Sequence, residues 1–371
     1  MATKSILKQI ASSITAGAIL IGSLASSAHA CTGIKLVAED GTVVHARTLE
    51  FGLDLKSDIM MVPRGYARIG TTPDGKPGLK WTAKYASVGM NGAGLPYLFD
   101  GVNEKGLSSG TFYFPTSAGY MPYTPDVSDK TIAQWEVSSY ILENFASVDE
   151  VKANIGKIVV PSVTFSSWGF APEVHYIVQD ASGKGIVLEY VGGKLNVYDA
   201  PLGVITNTPG YDFHMNNLRQ YVNLSMTTMK PLQLGSVTIE PTGQGNGMLG
   251  LPGDFTPPSR FVRAVAFTQA ALPSKTGDDA VFQAFHILNN FDIPKGSARD
   301  GTKDEHGNVV SDYTTWTGAA DLKAKRYYVR TYDNSQIRSV DLMKMNVDGK
   351  DIVMVPLEGK ETIEDITPGK K

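Results

Sequence analysis

The chain of 371 residues contains one cysteine, Cys31, and it follows the run Ala28-His29-Ala30. Ala28-x-Ala30 has the small-residue form of a secretory cleavage site, behind the basic Lys4 and Lys8 and a short apolar core from Ile14 to Leu24. Cleavage after Ala30 would leave Cys31 as a chain terminus with a thiol and an α-amine on one residue. A free thiol titrates near about 8.5 and an α-amine at roughly 7.7–8.0. Near neutral pH the amine can therefore take the proton that the thiol has to lose, directly or through a water. A fold that uses this pairing must bring the end of its chain into a shaped interior, which few topologies do. Two blander readings compete. Cys31 could pack as a small hydrophobe, or carry a lipid. The lipid reading wants a branched aliphatic where Ala28 stands, and lipidation would block both reactive groups.

Composition excludes several classes. A net charge of −3 gives no basis for nucleic-acid or membrane-surface binding. A hydrophobic content of 42% with 19% charge can bury a sizeable core. One cysteine excludes an internal disulfide. The apolar core before Cys31 falls short of the roughly 20 residues of a membrane span, and no later stretch qualifies. We expect a signal peptide over 1–30, one domain over 31–371, and an exported mature protein, periplasmic or extracellular, with no membrane contact.

Alternation predicts a hairpin from Ile34 to His45 around Asp40-Gly41. It also predicts strands at Ile59–Val62, Tyr85–Met90, Thr111–Phe114, Val174–Gln179, Ile186–Val191 and Lys194–Tyr198, and a late hairpin from Tyr327 to Leu342. Gly70–Gly78 reads as a turn-rich loop. Helical spacing predicts Asp129–Phe145, a capped helix after Ser147, Asp212–Tyr221, a helix capped by Ser259 through Ala271, and Asp278–Phe291. Two runs of hairpins around a helical middle, without βαβ alternation, indicate an α+β fold with antiparallel sheets.

Three tempting motifs fail. Gly245-Asn246-Gly247-Met248-Leu249-Gly250 spells a dinucleotide fingerprint, but Pro252, Pro257 and Pro258 oppose the helix it needs. Gly106-Leu107-Ser108-Ser109-Gly110 spells a nucleophile elbow, but a strand pattern follows instead of a helix. A serine hydrolase at Ser108 is thus a weak rival. His45, His175, His214, His286 and His306 lack metal-ligand spacing, so neither a metal nor any other cofactor is expected.

Four polar stretches remain: Arg47-Thr48-Leu49-Glu50-Phe51, Thr206-Asn207-Thr208-Pro209, Leu251-Pro252-Gly253-Asp254-Phe255-Thr256-Pro257, and Ser259-Arg260-Phe261. Singly, each has a structural explanation. Together with Cys31-Thr32-Gly33, Asp100 to Leu107 and Gly243-Gln244-Gly245, in this order, they resemble the choloylglycine hydrolase family. That family includes conjugated bile salt hydrolases and penicillin V acylases. The resemblance implies an N-terminal nucleophile hydrolase with an αββα sandwich of two antiparallel sheets flanked by helices. It implies Cys31 as nucleophile, its α-amine as base, and Arg47 beside the thiol. Glu50 stands where the family usually has the aspartate that orients the amine. Asn207 and the backbone N–H of Tyr113 would hold the oxyanion, and Arg260 would add positive charge. The partner implied is a small-molecule linear amide, and family analogy implies a homo-oligomer, a tetramer. Tyr113 resembles the acylases, which implies conversion of penicillin V to phenoxyacetate and 6-aminopenicillanic acid. The alternative is a bile salt hydrolase releasing glycine or taurine. A rival of another class is an exported binding protein that keeps the fold without catalysis.

Overall fold

The computed structural model describes residues 30–368, apart from 53, 300, 302 and 304–306. Residues 1–29 of the expected signal peptide, and His306, lie outside the described residues. In chain order the strands are β1 (Cys31–Val37), β2 (Val43–Phe51), β3 (Ile59–Val62), β4 (Ala67–Thr71), β5 (Pro77–Thr82), β6 (Ser87–Asn91), β7 (Leu98–Asn103) and β8 (Leu107–Tyr113). There follow β9 (Val174–Asp180), β10 (Gly185–Val191), β11 (Lys194–Asp199), β12 (Leu232–Leu234), β13 (Val237–Ile239), β14 (Tyr313–Asp321), β15 (Arg326–Thr331), β16 (Asn334–Asp341) and β17 (Val353–Val355). The α-helices are α1 (Val137–Asn144), α2 (Val148–Asn154), α3 (Tyr211–Asn217), α4 (Pro257–Ala270) and α5 (Gly277–Leu288).

Two antiparallel sheets form the centre. One has the order β1-β2-β14-β15-β16, the other β11-β10-β9-β8-β7-β6-β3-β17. Side-chain alternation sets the layers. In β9, Ile177 points into the core between the sheets, whereas Tyr176 and Val178 join the cluster with Val137, Ile141, Val148 and Val151 of α1 and α2. On the opposite side, α4 and α5 cover β1, β2 and β14 through Phe261, Val281, Phe285 and Leu288. The result is the expected αββα sandwich. Strand β2 lies at its centre, and every one of its nine residues is buried.

Several local expectations need correction. The segment expected as one helix from Asp129 is broken into 3₁₀ turns at Pro125–Lys130 and Gln134–Glu136 before α1. Between them the backbone bonds sideways: Leu79 N–H donates to Thr131 O (2.8 Å), Ile132 N–H to Val159 O (3.1 Å) and Val159 N–H to Lys130 O (2.8 Å). Tertiary hydrogen bonds thus displace the helical ladder there. Helix α4 is not capped by Ser259. It begins after Thr256, with Pro257 and Pro258 in its first turn. There a missing N–H costs nothing and the fixed φ suits the helix, so the expected helix starts at Pro257, ahead of Ser259. The Gly70–Gly78 loop is the tip of the β4–β5 hairpin. Strand β14 was not foreseen, although it joins β2 to β15. Ser108 lies mid-strand in β8, buried, donating to Gln179 O, which is no elbow geometry.

Candidate active site

Cys31 is the first residue of β1 and is buried. The register places Cys31 beside Leu49, and Leu49 beside Trp316. Two rows on, on the same face, lie Gly33, Arg47 and Gly318. Glycine is required at Gly33, since a Cβ would lie 2.7 Å from the Phe112 ring and 2.8 Å from Ile205. That close approach brings Phe112 from the second sheet over Arg47, whose guanidinium carbon is 3.9 Å from the ring centroid. Arg47 donates from Nη1 to Thr111 O (2.5 Å) and from Nε to Thr48 O (3.2 Å). Its Nη2 is buried with no hydrogen-bond partner. Segment 203–207 runs beside β1 through paired bonds of Gly33 and Ile205 (2.8 and 3.1 Å).

This segment delivers Asn207. Its Oδ1 accepts from the Cys31 nitrogen (2.9 Å) and from Arg260 Nη2 (2.6 Å), and its Nδ2 donates to Tyr113 O (2.7 Å). Arg260, from the first turn of α4, also donates from Nη1 to Cys31 O (2.5 Å) and Thr32 Oγ1 (2.9 Å). Glu50 accepts from Thr314 Oγ1 (2.9 Å) at one oxygen, and its Oε2 is buried without a partner. All the residues singled out from the sequence, Cys31, Arg47, Glu50, Tyr113, Asn207 and Arg260, therefore converge at one end of the sandwich. The chain is continuous through Ala30, so the Cys31 nitrogen is here a peptide N–H. One Asn207 amide hydrogen, expected for an oxyanion, is engaged by Tyr113 O.

Burial dominates the electrostatics. It pushes the Cys31 thiol above its ordinary range, against the pull of Arg47 and Arg260. It lifts Glu50 to about 7 and lowers Arg260 to about 10. In the chain that carries Ala30 the thiol is thus held toward its protonated form.

A cavity of about 50 Å³ opens against Cys31 and Arg47, walled by Phe51, Phe99, Phe112, Tyr113, Trp135, Phe165 and Trp168 among others. Trp168 stacks on Phe51 (centroids 5.5 Å apart, 22° between planes) and on Phe170 (5.6 Å, 29°). The sequence did not reveal this aromatic wall, whose members are scattered from 51 to 170. Nor did it single out Thr314, His175 or His214. The histidines were weighed only as metal ligands, although His214 stands seven residues after Asn207 at helical spacing. Among the described residues, no group of three or more His, Cys, Asp or Glu side chains could hold a metal, and no helix is long and apolar enough to cross a membrane.

Residues 31–355 match the linear amide C–N hydrolases of the choloylglycine hydrolase family. A bile salt hydrolase/transferase of Clostridium perfringens is 35% identical over 325 residues, covering 87% of this chain and 95% of the relative. A penicillin V acylase of Pectobacterium atrosepticum is 28% identical over 325 residues, covering 82% and 78%. The crystal structure of a mutant conjugated bile acid hydrolase from C. perfringens superposes with a TM-score of 0.79 at 32% identity, covering 91% of this chain and all of that one.

Proposed function

Because this chain belongs to the choloylglycine hydrolase family and is a linear amide C–N hydrolase, we propose that it is an N-terminal cysteine amidase acting on penicillin V. The observation that carries the substrate is the narrow aromatic cavity against Cys31. Its aromatic walls, with Trp168 stacked on Phe51 at 5.5 Å, suit a single planar ring of the phenoxyacetyl kind.

The chemistry follows from the groups present. The signal peptide is removed after Ala30 and the protein is exported. The freed α-amine of Cys31 takes the thiol proton, and the sulfur attacks the amide carbonyl. The second amide hydrogen of Asn207 and the Tyr113 N–H hold the developing oxyanion. The tetrahedral intermediate collapses to a thioester, and the amine leaves with a proton from the α-ammonium group. Water, deprotonated by the same amine, then releases the acid and restores the thiol. Glu50 orients the ammonium through its unpartnered Oε2. The new positive charge next to it favours the carboxylate that burial alone disfavours. Arg47 and Arg260 draw the sulfur toward thiolate.

A second reading, hydrolysis of glycine- or taurine-conjugated bile salts, is favoured by the higher identity to the C. perfringens bile salt hydrolase/transferase, 35% against 28% for the acylase. The test is kcat/KM for penicillin V and for glycocholate on one processed preparation, with Cys31→Ala as blank. Preference for penicillin V supports the first reading, and preference for glycocholate replaces it with the second. We also propose self-association through the β12–β13 hairpin, where Leu232, Leu234, Val237 and Ile239 are all about half exposed. Light scattering would return a monomer mass if that is wrong.

A further inference from the structure

Two buried histidines next to Asn207 take no part in the acyl-transfer steps. His214, on α3, has Nε2 2.8 Å from Asn207 O and 3.4 Å from Thr206 Oγ1. His175, on β9, has Nε2 3.1 Å from Thr206 O. A carbonyl oxygen only accepts, so each Nε2 must carry a hydrogen. Successive carbonyls of the Thr206–Asn207 main chain are thus held by donors from two different elements, one from the second sheet and one from a helix.

Both rings are braced. His214 lies flat on Phe261 (4.8 Å, 11°) and His175 on Phe114 (4.2 Å, 7°). The other nitrogen of His175 meets Glu189 Oε1 at 3.1 Å. The same oxygen accepts from Tyr211 N–H at 2.9 Å, at the start of the helix that carries His214. Thr206 Oγ1 donates to Pro257 O (3.1 Å), which ties the segment to the helix that supplies Arg260. The charged or titratable groups facing His214 are Arg260 from α4 and His175 from β9. Burial lowers His214 to about 4, so the ring is neutral at working pH.

We propose that His214 and His175 are positioning residues that hold the Thr206–Asn207 main chain so that the Asn207 amide is aimed at the carbonyl attacked by Cys31. This rests on the amidase reading. It assigns the histidines a part in transition-state stabilisation without contact with substrate. An oxyanion donor works only if aligned beforehand, and a displacement of about 1 Å can cost on the order of 10²-fold in rate.

The test separates the hydrogen bond from the packing. His214→Phe keeps the stack on Phe261 and removes the donor. It should lower kcat by about 10–100-fold with KM nearly unchanged, because the oxyanion exists only in the transition state. Alkylation of Cys31 by iodoacetamide should keep its wild-type rate. His214→Gln keeps a donor and should stay within about fivefold of wild type in kcat, on the same reasoning. A folded His214→Phe with wild-type kcat overturns the inference, as does His214→Gln falling as low as His214→Phe. If neither variant folds, ¹⁵N-histidine spectra of the wild-type protein at pH 7 decide. A neutral His214 protonated on Nε2 is expected, and protonation on Nδ1 overturns the inference. A wild-type enzyme silent on penicillin V and glycocholate removes both substrate readings, and the ¹⁵N-histidine spectra then decide this inference. An active wild type with a fully active His214→Phe sinks this inference alone.

Discussion

Two of the clusters of buried charge among the described residues are built on opposite plans. Under the β4–β5 hairpin, Arg68 donates from Nε and Nη2 to Glu143 Oε1 (3.1 and 2.8 Å) and from Nη1 to Pro96 O (2.6 Å). Trp81 Nε1 supplies Glu143 Oε2 at 2.6 Å. No side-chain atom of Arg68 or Glu143 is buried without a partner. At Cys31, by contrast, Arg47 Nη2 and Glu50 Oε2 are buried and unpartnered, and the two arginines there bond mainly to main-chain oxygens rather than to a carboxylate. An orphaned buried polar group costs roughly 1–3 kcal/mol. Orphaned atoms occur elsewhere too, on Ser87, Tyr190 and Arg338 for example, but at Cys31 they belong to two charged groups at once. On the proposed mechanism the missing partners are an ammonium group for Glu50 and substrate or thiolate for Arg47.

Substitutions can break this contrast, beginning with the nucleophile. Cys31→Ala should lower kcat by roughly 10⁴-fold or more while thermal unfolding stays close to wild type, since a small buried side chain is replaced by a smaller one. Asn207→Ala should lower kcat by about 10²–10³-fold, the scale of one lost oxyanion donor. Arg68→Met should do the reverse. Stranding Glu143 should cost about 3–5 kcal/mol in urea unfolding, while the folded fraction keeps kcat within a few-fold. If Arg68→Met abolished turnover at full stability, the two clusters would not differ as described.

Glu50 sharpens the comparison through pH. In the chain that retains Ala30 its carboxyl titrates at about 7, raised by burial from 4.5. A carboxyl with a raised pKa binds more protons folded than unfolded between those values, so its contribution is fully present below about pH 4.5 and is lost as pH rises through 7. Glu50→Gln, which cannot ionise, should therefore gain stability relative to the parent between pH 4.5 and 7, by on the order of 1–3 kcal/mol. A difference in melting temperature that is flat with pH would contradict the raised value. The smallest effect concerns Arg47. Arg47→Met should shift the pH midpoint of Cys31 alkylation upward, because a charge that favours thiolate is removed.

Much of this was legible in the sequence, for a physical reason. Residues that must meet at Cys31 lie on short polar stretches that break an otherwise regular alternation, and Arg47, Glu50, Asn207 and Arg260 stand out on that account. The hairpins from Ile34 to His45 and from Tyr327 to Leu342 are local, and turn chemistry announces them. What stayed hidden depends on distant partners. Strand β14 is recognisable only once β2 and β15 flank it. The 3₁₀ breaks near Thr131 follow from hydrogen bonds to residues 79 and 159. The aromatic wall gathers rings from five separate elements and loops, and the clamp on Asn207 needs β9 and α3 together. The start of α4 was placed too late because proline, which breaks a helix interior, is well suited to a first turn.

The central claim is that thiol and α-amine of Cys31 act as one catalyst, which exists only after Ala30 has gone. Intact mass measured alongside turnover, on preparations trimmed to different extents, tests it most directly. Activity should rise in proportion to the fraction of chains that begin at Cys31, and chains retaining Ala30 should be silent on every amide. Full activity in a preparation whose chains all retain Ala30 would contradict it.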